Sequence, residues 1–212
     1  MKNVISPLVL ICSAAVILTS CSKDEDKATT TSSCTTDTTA SGSITVGSET
    51  MSGVYLSPCY TGFADMAGQQ IFPSDVKSGY TAIVVTGNTA ISEEILMYTD
   101  TACSTPSATF KNGRTDFTVG SASGSNYAVT YKDTTIKVKP STDVAASHFN
   151  TFATSVGMTW TFTAGSETTV NDSGNTKYNL VLVTSTTVKT GDASDNATPS
   201  ELDSMVMTKT CE

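Results

Sequence analysis

Eight short runs between residues 54 and 210 are rich in β-branched and aromatic side chains, and turn residues separate most of them. The clearest spans 89–99, with Ile91, Glu93, Ile95 and Met97 on one side and Ala90, Ser92, Glu94, Leu96 and Tyr98 on the other. A period of two is what a strand with one dry and one wet face requires. The other runs are expected at 54–60, 80–86, 108–119, 127–138, 159–163, 178–188 and 205–210. Gly87-Asn88 between the second and third is a hairpin signal, and Lys111-Asn112-Gly113 marks a break or bulge in the fourth. In 159–163 Trp160 and Phe162 alternate with Thr159, Thr161 and Thr163, giving one aromatic and one hydroxyl face. Threonine fills 39 of 212 positions, a composition suited to half-solvated strands.

One segment breaks the pattern. Between 142 and 156 the apolar residues Val144, Ala145, Phe149, Phe152 and Val156 recur every three or four positions, the spacing of a helix face. Thr142 or Ser141 can cap its free amides and Gly157 can end it. Eight sequential strands leave two exposed edges unless the sheet closes on itself. The expected fold is therefore all-β: an eight-stranded, mainly antiparallel up-and-down barrel with one short helix. A β-sandwich is the alternative architecture.

The N-terminus is organised differently. Lys2 precedes an apolar run of 11 residues at 8–18, closed by Leu18-Thr19-Ser20-Cys21. This is the layout of a secretory signal, and the run is far short of the roughly 20 residues of a spanning helix. Leu18-Thr19-Ser20-Cys21 resembles the lipobox of bacterial lipoproteins. That resemblance implies cleavage before Cys21, acylation of that cysteine, and attachment to a membrane by more than one chain, which holds firmly where a single chain does not. Residues 1–20 are then the signal peptide and 21–43 a lipidated, Thr/Ser-rich flexible tether, with a single β domain over 44–212. The acidic patch at 23–27 resembles tags that send some lipoproteins to the cell surface. The expected location is the bacterial outer membrane, on its surface or its periplasmic face.

Loss of Lys2 leaves 11 cationic and 20 acidic side chains. With one arginine and no basic patch, nucleic acid is excluded as a partner. Besides Cys12 and Cys21, four cysteines remain, an even number for an oxidising compartment. Three pairings are open to them. Position favours Cys59 with Cys103, between two early strands, and Cys34 with Cys211, fastening the tether to the last strand. Each closure would contribute about 3–5 kcal/mol by loop entropy. No CxxC spacing suggests zinc or redox chemistry.

Gly53-Val54-Tyr55 resembles the Gly-X-aromatic opening of the first strand in lipocalin-like barrels, with Tyr where that family has Trp. A long first loop at 61–79 and a helix late in the chain add to the likeness, although here the helix precedes about three strands where the family has one. The resemblance implies a pocket at one barrel mouth. The first loop carries Phe63, Met66, Ile71 and Phe72 and would cover that mouth, as a lid over a pocket lined partly by Tyr55, Trp160 or Phe162, or as a plug completing the core.

Catalytic signals are sparse. His148 is the one histidine and has no nucleophile context around it. Glu93 and Glu94 are neighbours in a strand, so they face opposite ways and cannot work as a pair. Asp192, Asp195 and Asn196 share a polar loop but lack the spacing of a calcium loop. The expectation is a non-catalytic, lipid-anchored protein with no cofactor or metal. It would bind a small apolar or amphipathic ligand or a protein partner; the alternative is a surface protein without a pocket.

Overall fold

A computed structural model describes residues 36–171 and 174–211. A small hairpin comes first, β1 (Ile44–Val46) and β2 (Glu49–Met51). Then follow β3 (Val54–Leu56), a 3-10 helix (Thr61–Met66), β4 (Ser78–Val85), β5 (Ile91–Tyr98), β6 (Pro106–Ser123) and β7 (Asn126–Pro140). Helix α1 (Asp143–Ser155) precedes β8 (Thr168–Asn171), β9 (Thr176–Val183), β10 (Thr187–Thr190) and β11 (Met207–Cys211).

Eight of these strands close into an antiparallel barrel. Each of β3, β4, β5, β6, β7, β9, β10 and β11 pairs with its neighbours in that order, and β11 returns to β3 through Thr208 with Leu56 and Lys209 with Tyr55. Closure removes both sheet edges. The ninth strand, β8, lies outside the ring: β7 pairs with β9 through Tyr127–Lys132, then changes partner and pairs with β8 through Thr135–Val138. At the expected break in the fourth strand the register with β7 shifts between Gly113 and Arg114, but the extra residue is Thr134 on β7. The hairpin at Gly87-Asn88 also forms, with the Thr86 amide donating to the Ala90 carbonyl at 2.9 Å.

Three strand assignments need correction. Residues 159–163 form no strand. Asn150 of α1 donates to the Phe162 carbonyl (2.9 Å) and accepts from the Phe162 amide (2.8 Å), so a helix side chain takes the bonds a strand partner would have made. The alternation reflects packing on the helix, with Phe162 buried and Thr161 and Thr163 in water. The run 178–188 is two strands, because Thr184-Ser185-Thr186 makes a turn in which the Thr187 amide donates to Thr184 Oγ1 at 2.9 Å. Four strands therefore follow the helix, and the first strand stops at Leu56, with Tyr60 joined to Gly79 only by an isolated bridge.

The helix is capped as its sequence suggests. Thr142 accepts from the Ala145 amide at 3.0 Å, and Gly157, just beyond the helix, takes a left-handed conformation. Its buried face (Ala145, Phe149 and Ala153) packs at one end of the barrel against Phe63, Phe72 and Phe110.

At the opposite end β1 and β2 act as a stopper. Ile44, Val46 and Met51 are buried against Val85, Val129 and Val181. The hairpin turns at Gly47 (φ +63°), where a Cβ would fall 2.0 Å from the Tyr127 hydroxyl. Part of the expected tether also docks: the Ser41 amide donates to the Val85 carbonyl (2.8 Å), and Asp37 pairs with Lys111 and Lys139. Cys59 and Cys103 form the expected disulfide. Cys34 and Cys21 lie outside the described residues; Cys211, opposite Val54 at the closing seam, is itself disulfide-bonded. No helix among the described residues is long and apolar enough to cross a membrane.

Candidate binding cavity

The barrel interior is layered. An apolar cluster containing Tyr55, Ile83, Val85, Val129 and Val188 fills the stoppered end. Tyr55 is wholly inaccessible there. Above it β5, β6, β7 and β9 each aim polar groups inward. Arg114 on β6 pairs with Glu93 and with Asp133 (3.1 Å), and its guanidinium sits 4.5 Å from the centre of the Tyr131 ring. Asn112 donates to Asp133 at 3.2 Å, while its own carbonyl oxygen has no partner among the described residues. Burial pushes the Tyr131 hydroxyl up to about 12, so it stays a neutral phenol beneath the guanidinium.

This arrangement follows from the strand period. Along β5 the inward positions are Ile91, Glu93, Ile95 and Met97, so one carboxylate is carried into an otherwise apolar file. A carboxylate in that file needs a cation, and ordinary alternation along β6 supplies it: Arg114 lies opposite Ile91 and Asn112 opposite Glu93, on the same inward face. Glu94 faces the outer wall beneath residues 36–43. It is fully buried, and desolvation raises its pKa against the opposing pull of Thr38 and Lys111.

Above the polar layer lies a cavity of about 270 Å³. That is just below the usual range of ligand pockets, about 300 to 1,000 Å³. Its roof is the first loop, through Tyr60, Phe63, Met66, Ile71 and Phe72. Ile95 and Phe110 continue the apolar wall; Glu93, Arg114 and Asn179 form the floor. The open side is bordered by the segment after β10, where Asp192, Asp203 and Met205 stand. Asp203 retains much of its exposure, yet its carboxyl titrates above the ordinary range because of partial desolvation and the charges of Asp192 and Glu93, with Lys189 opposing.

The first loop is both plug and roof. Phe63 and Phe72 are buried in the cluster that includes α1, with ring centres 5.3 Å apart, and they also border the void. Three attachments hold the loop down. The Cys59–Cys103 bridge secures its start, Asp75 accepts from Ser107 (2.6 Å) and Thr142 (2.7 Å) at its end, and His148 Nε2 donates to the Gln70 carbonyl (2.7 Å) in the middle.

Of the aromatic and sulfur-bearing candidates, Phe63, Met66 and Phe72 line the cavity, whereas Tyr55, Trp160 and Phe162 do not. Tyr55 lies too deep, and Trp160 and Phe162 pack beside the helix with the roof cluster. Arg114, Asn179 and Asp203 were missed. The inward register of Glu93 was the available signal for a polar layer, since a carboxylate in an apolar file needs a cation. Asp192 and Asp195 diverge: Asp192 borders the cavity, while Asp195 is bound to Lys177. Among the described residues no group of three or more His, Cys, Asp or Glu side chains could hold a metal ion.

The fold and site define a class, a closed up-and-down barrel with a small internal cavity. The chain matches no protein-family model and no curated protein.

Proposed function

We propose that this protein is a non-catalytic binding module, held on the bacterial outer membrane by lipid on Cys21, that takes a small amphipathic ligand into its barrel. The cavity of about 270 Å³ between an apolar roof and a polar floor carries the reading. Such a cavity binds one end of a ligand by burial and orients the other by charge and hydrogen bonding. The lipobox-like Leu18-Thr19-Ser20-Cys21 supports the anchor, and the likeness to lipocalin-like barrels in Gly53-Val54-Tyr55 agrees with a ligand at one mouth. The tether would hold the barrel close to the membrane, on the cell surface or on its periplasmic face.

A neutral environment-sensitive dye, N-phenyl-1-naphthylamine, tests the cavity. Its fluorescence should rise on binding to the protein, and Thr190→Phe, which projects bulk into the void, should weaken that binding at least tenfold. An unchanged signal in the wild type would end the ligand reading. Mass spectrometry of the native N-terminus tests the anchor separately: an unmodified Cys21, or a chain still carrying residues 1–20, would remove it.

A further inference from the structure

We infer that the cavity selects a small organic ammonium ion with an apolar body, an inference that rests on the binding reading above. The first observation is the charge inside the barrel. Arg114 is the one cationic side chain among the described residues that line the cavity, and its charge is already engaged by Glu93 and Asp133. Among the charges that line the void, Glu93, Asp192 and Asp203 against Arg114 leave a formal −2. The nearby lysines do not balance this: Lys177 is bound to Asp195, and Lys189 stands close to Asp203 without lining the void. An anionic ligand would enter against that field and a neutral one would leave it uncompensated, whereas a cation relieves the repulsion that Asp192 and Glu93 exert on Asp203.

The second observation is independent of charge. Four aromatic residues, Tyr60, Phe63, Phe72 and Phe110, line the roof and wall. Tyr60 meets Phe63 edge-on with ring centres 5.7 Å apart, and Phe63 meets Phe72 at 5.3 Å. Aromatic faces attract ammonium groups, most strongly where water is excluded. They also suit an organic body and offer nothing to a hydrated metal ion, which needs oxygen ligands. The volume of about 270 Å³ limits the guest to a compact molecule.

Calorimetric titration of the purified native protein with three probes of similar shape tests the inference: phenethylammonium, 2-phenylethanol and phenylacetate. Phenethylammonium should bind at least tenfold tighter than the alcohol, and phenylacetate should give no heat. Asp203→Asn should weaken phenethylammonium binding at least threefold while leaving the alcohol unchanged. Glu93→Gln should do so more strongly, but it also strips a partner from Arg114, so Asp203→Asn decides if that variant fails to fold. Equal affinity for ammonium and alcohol would overturn the cation inference and leave the binding module standing. Tightest binding of phenylacetate, or ammonium binding indifferent to both substitutions, would overturn it as well. If all three probes and N-phenyl-1-naphthylamine fail to bind, both readings fall together.

Discussion

The two ends of this barrel are closed by different means. At one end the β1–β2 hairpin drives Ile44, Val46 and Met51 among the inward residues of the strands, and the core there is dense. At the other, a long loop is laid across the mouth and fastened at a few points, by a disulfide, by Asp75 and by His148. A stopper inserted into the barrel displaces the space within it; a roof fixed to the rim leaves space beneath. The cavity therefore follows from how the second end was closed.

The comparison predicts unequal responses to damage. Removing the covalent fastening should have the largest effect. Cys59→Ser with Cys103→Ser opens a loop spanning 44 residues, which the chain-entropy estimate places at about 4 kcal/mol. Denaturant unfolding should show the loss, and hydrogen exchange should show it concentrated in residues 59–77. Equal loosening of the β1–β2 end would contradict the division. Next, Ile83→Ala in the dense cluster should cost about 3 kcal/mol, because the neighbours cannot collapse into the space left. Met66→Ala at the roof, half-exposed and already beside a void, should cost under about 1 kcal/mol. If the two cost the same, the roof is as tightly packed as the stopper.

The smallest expected effect concerns pH. Asp203 has a raised pKa in the fold, so its charged form is disfavoured there relative to the unfolded chain. The penalty is absent below the ordinary carboxylate range and sets in as the pH rises through that range to the folded value. Asp203→Asn should raise the melting temperature slightly at pH 7, with the gain fading near pH 3. A gain that persists at low pH would assign it to something other than charge. Asp100 has the opposite sign. Its carboxylate accepts from the Ala102, Ser104 and Thr105 amides and the Ser104 hydroxyl, which holds its pKa well below the usual range. It should therefore keep the turn that carries Cys103 ordered down to pH 3.

Much of this was legible in the sequence, for reasons that can be named. Strand alternation is a local property, and in β5 Glu93 and Ile95 border the cavity while Leu96 and Tyr98 pack in a separate cluster, although neither face is wet. Thr142 and Gly157 mark the helix ends because capping needs only neighbouring atoms. Threonine is where the reading failed. The same hydroxyl residue extends a strand in β7 and makes the turn at Thr184-Ser185-Thr186, so β9 and β10 looked continuous. Trp160 and Phe162 alternated like a strand because a segment lying against a helix also has an inside and an outside.

The site divides in the same way. Phe63, Met66 and Phe72 were noticeable because a solvated loop has no need of them. Arg114, Asn179 and Asp203 could not be singled out, since they come from β6, β9 and a late loop and share a site only after closure. The sequence by itself determined the β class, the helix, the turn signals and the pairing-competent cysteines, all of which depend on residues near one another in the chain. Tertiary structure alone decided which strand lay outside the ring, which end was filled, and which charges met inside, because those depend on distances the chain sets only when β11 closes on β3.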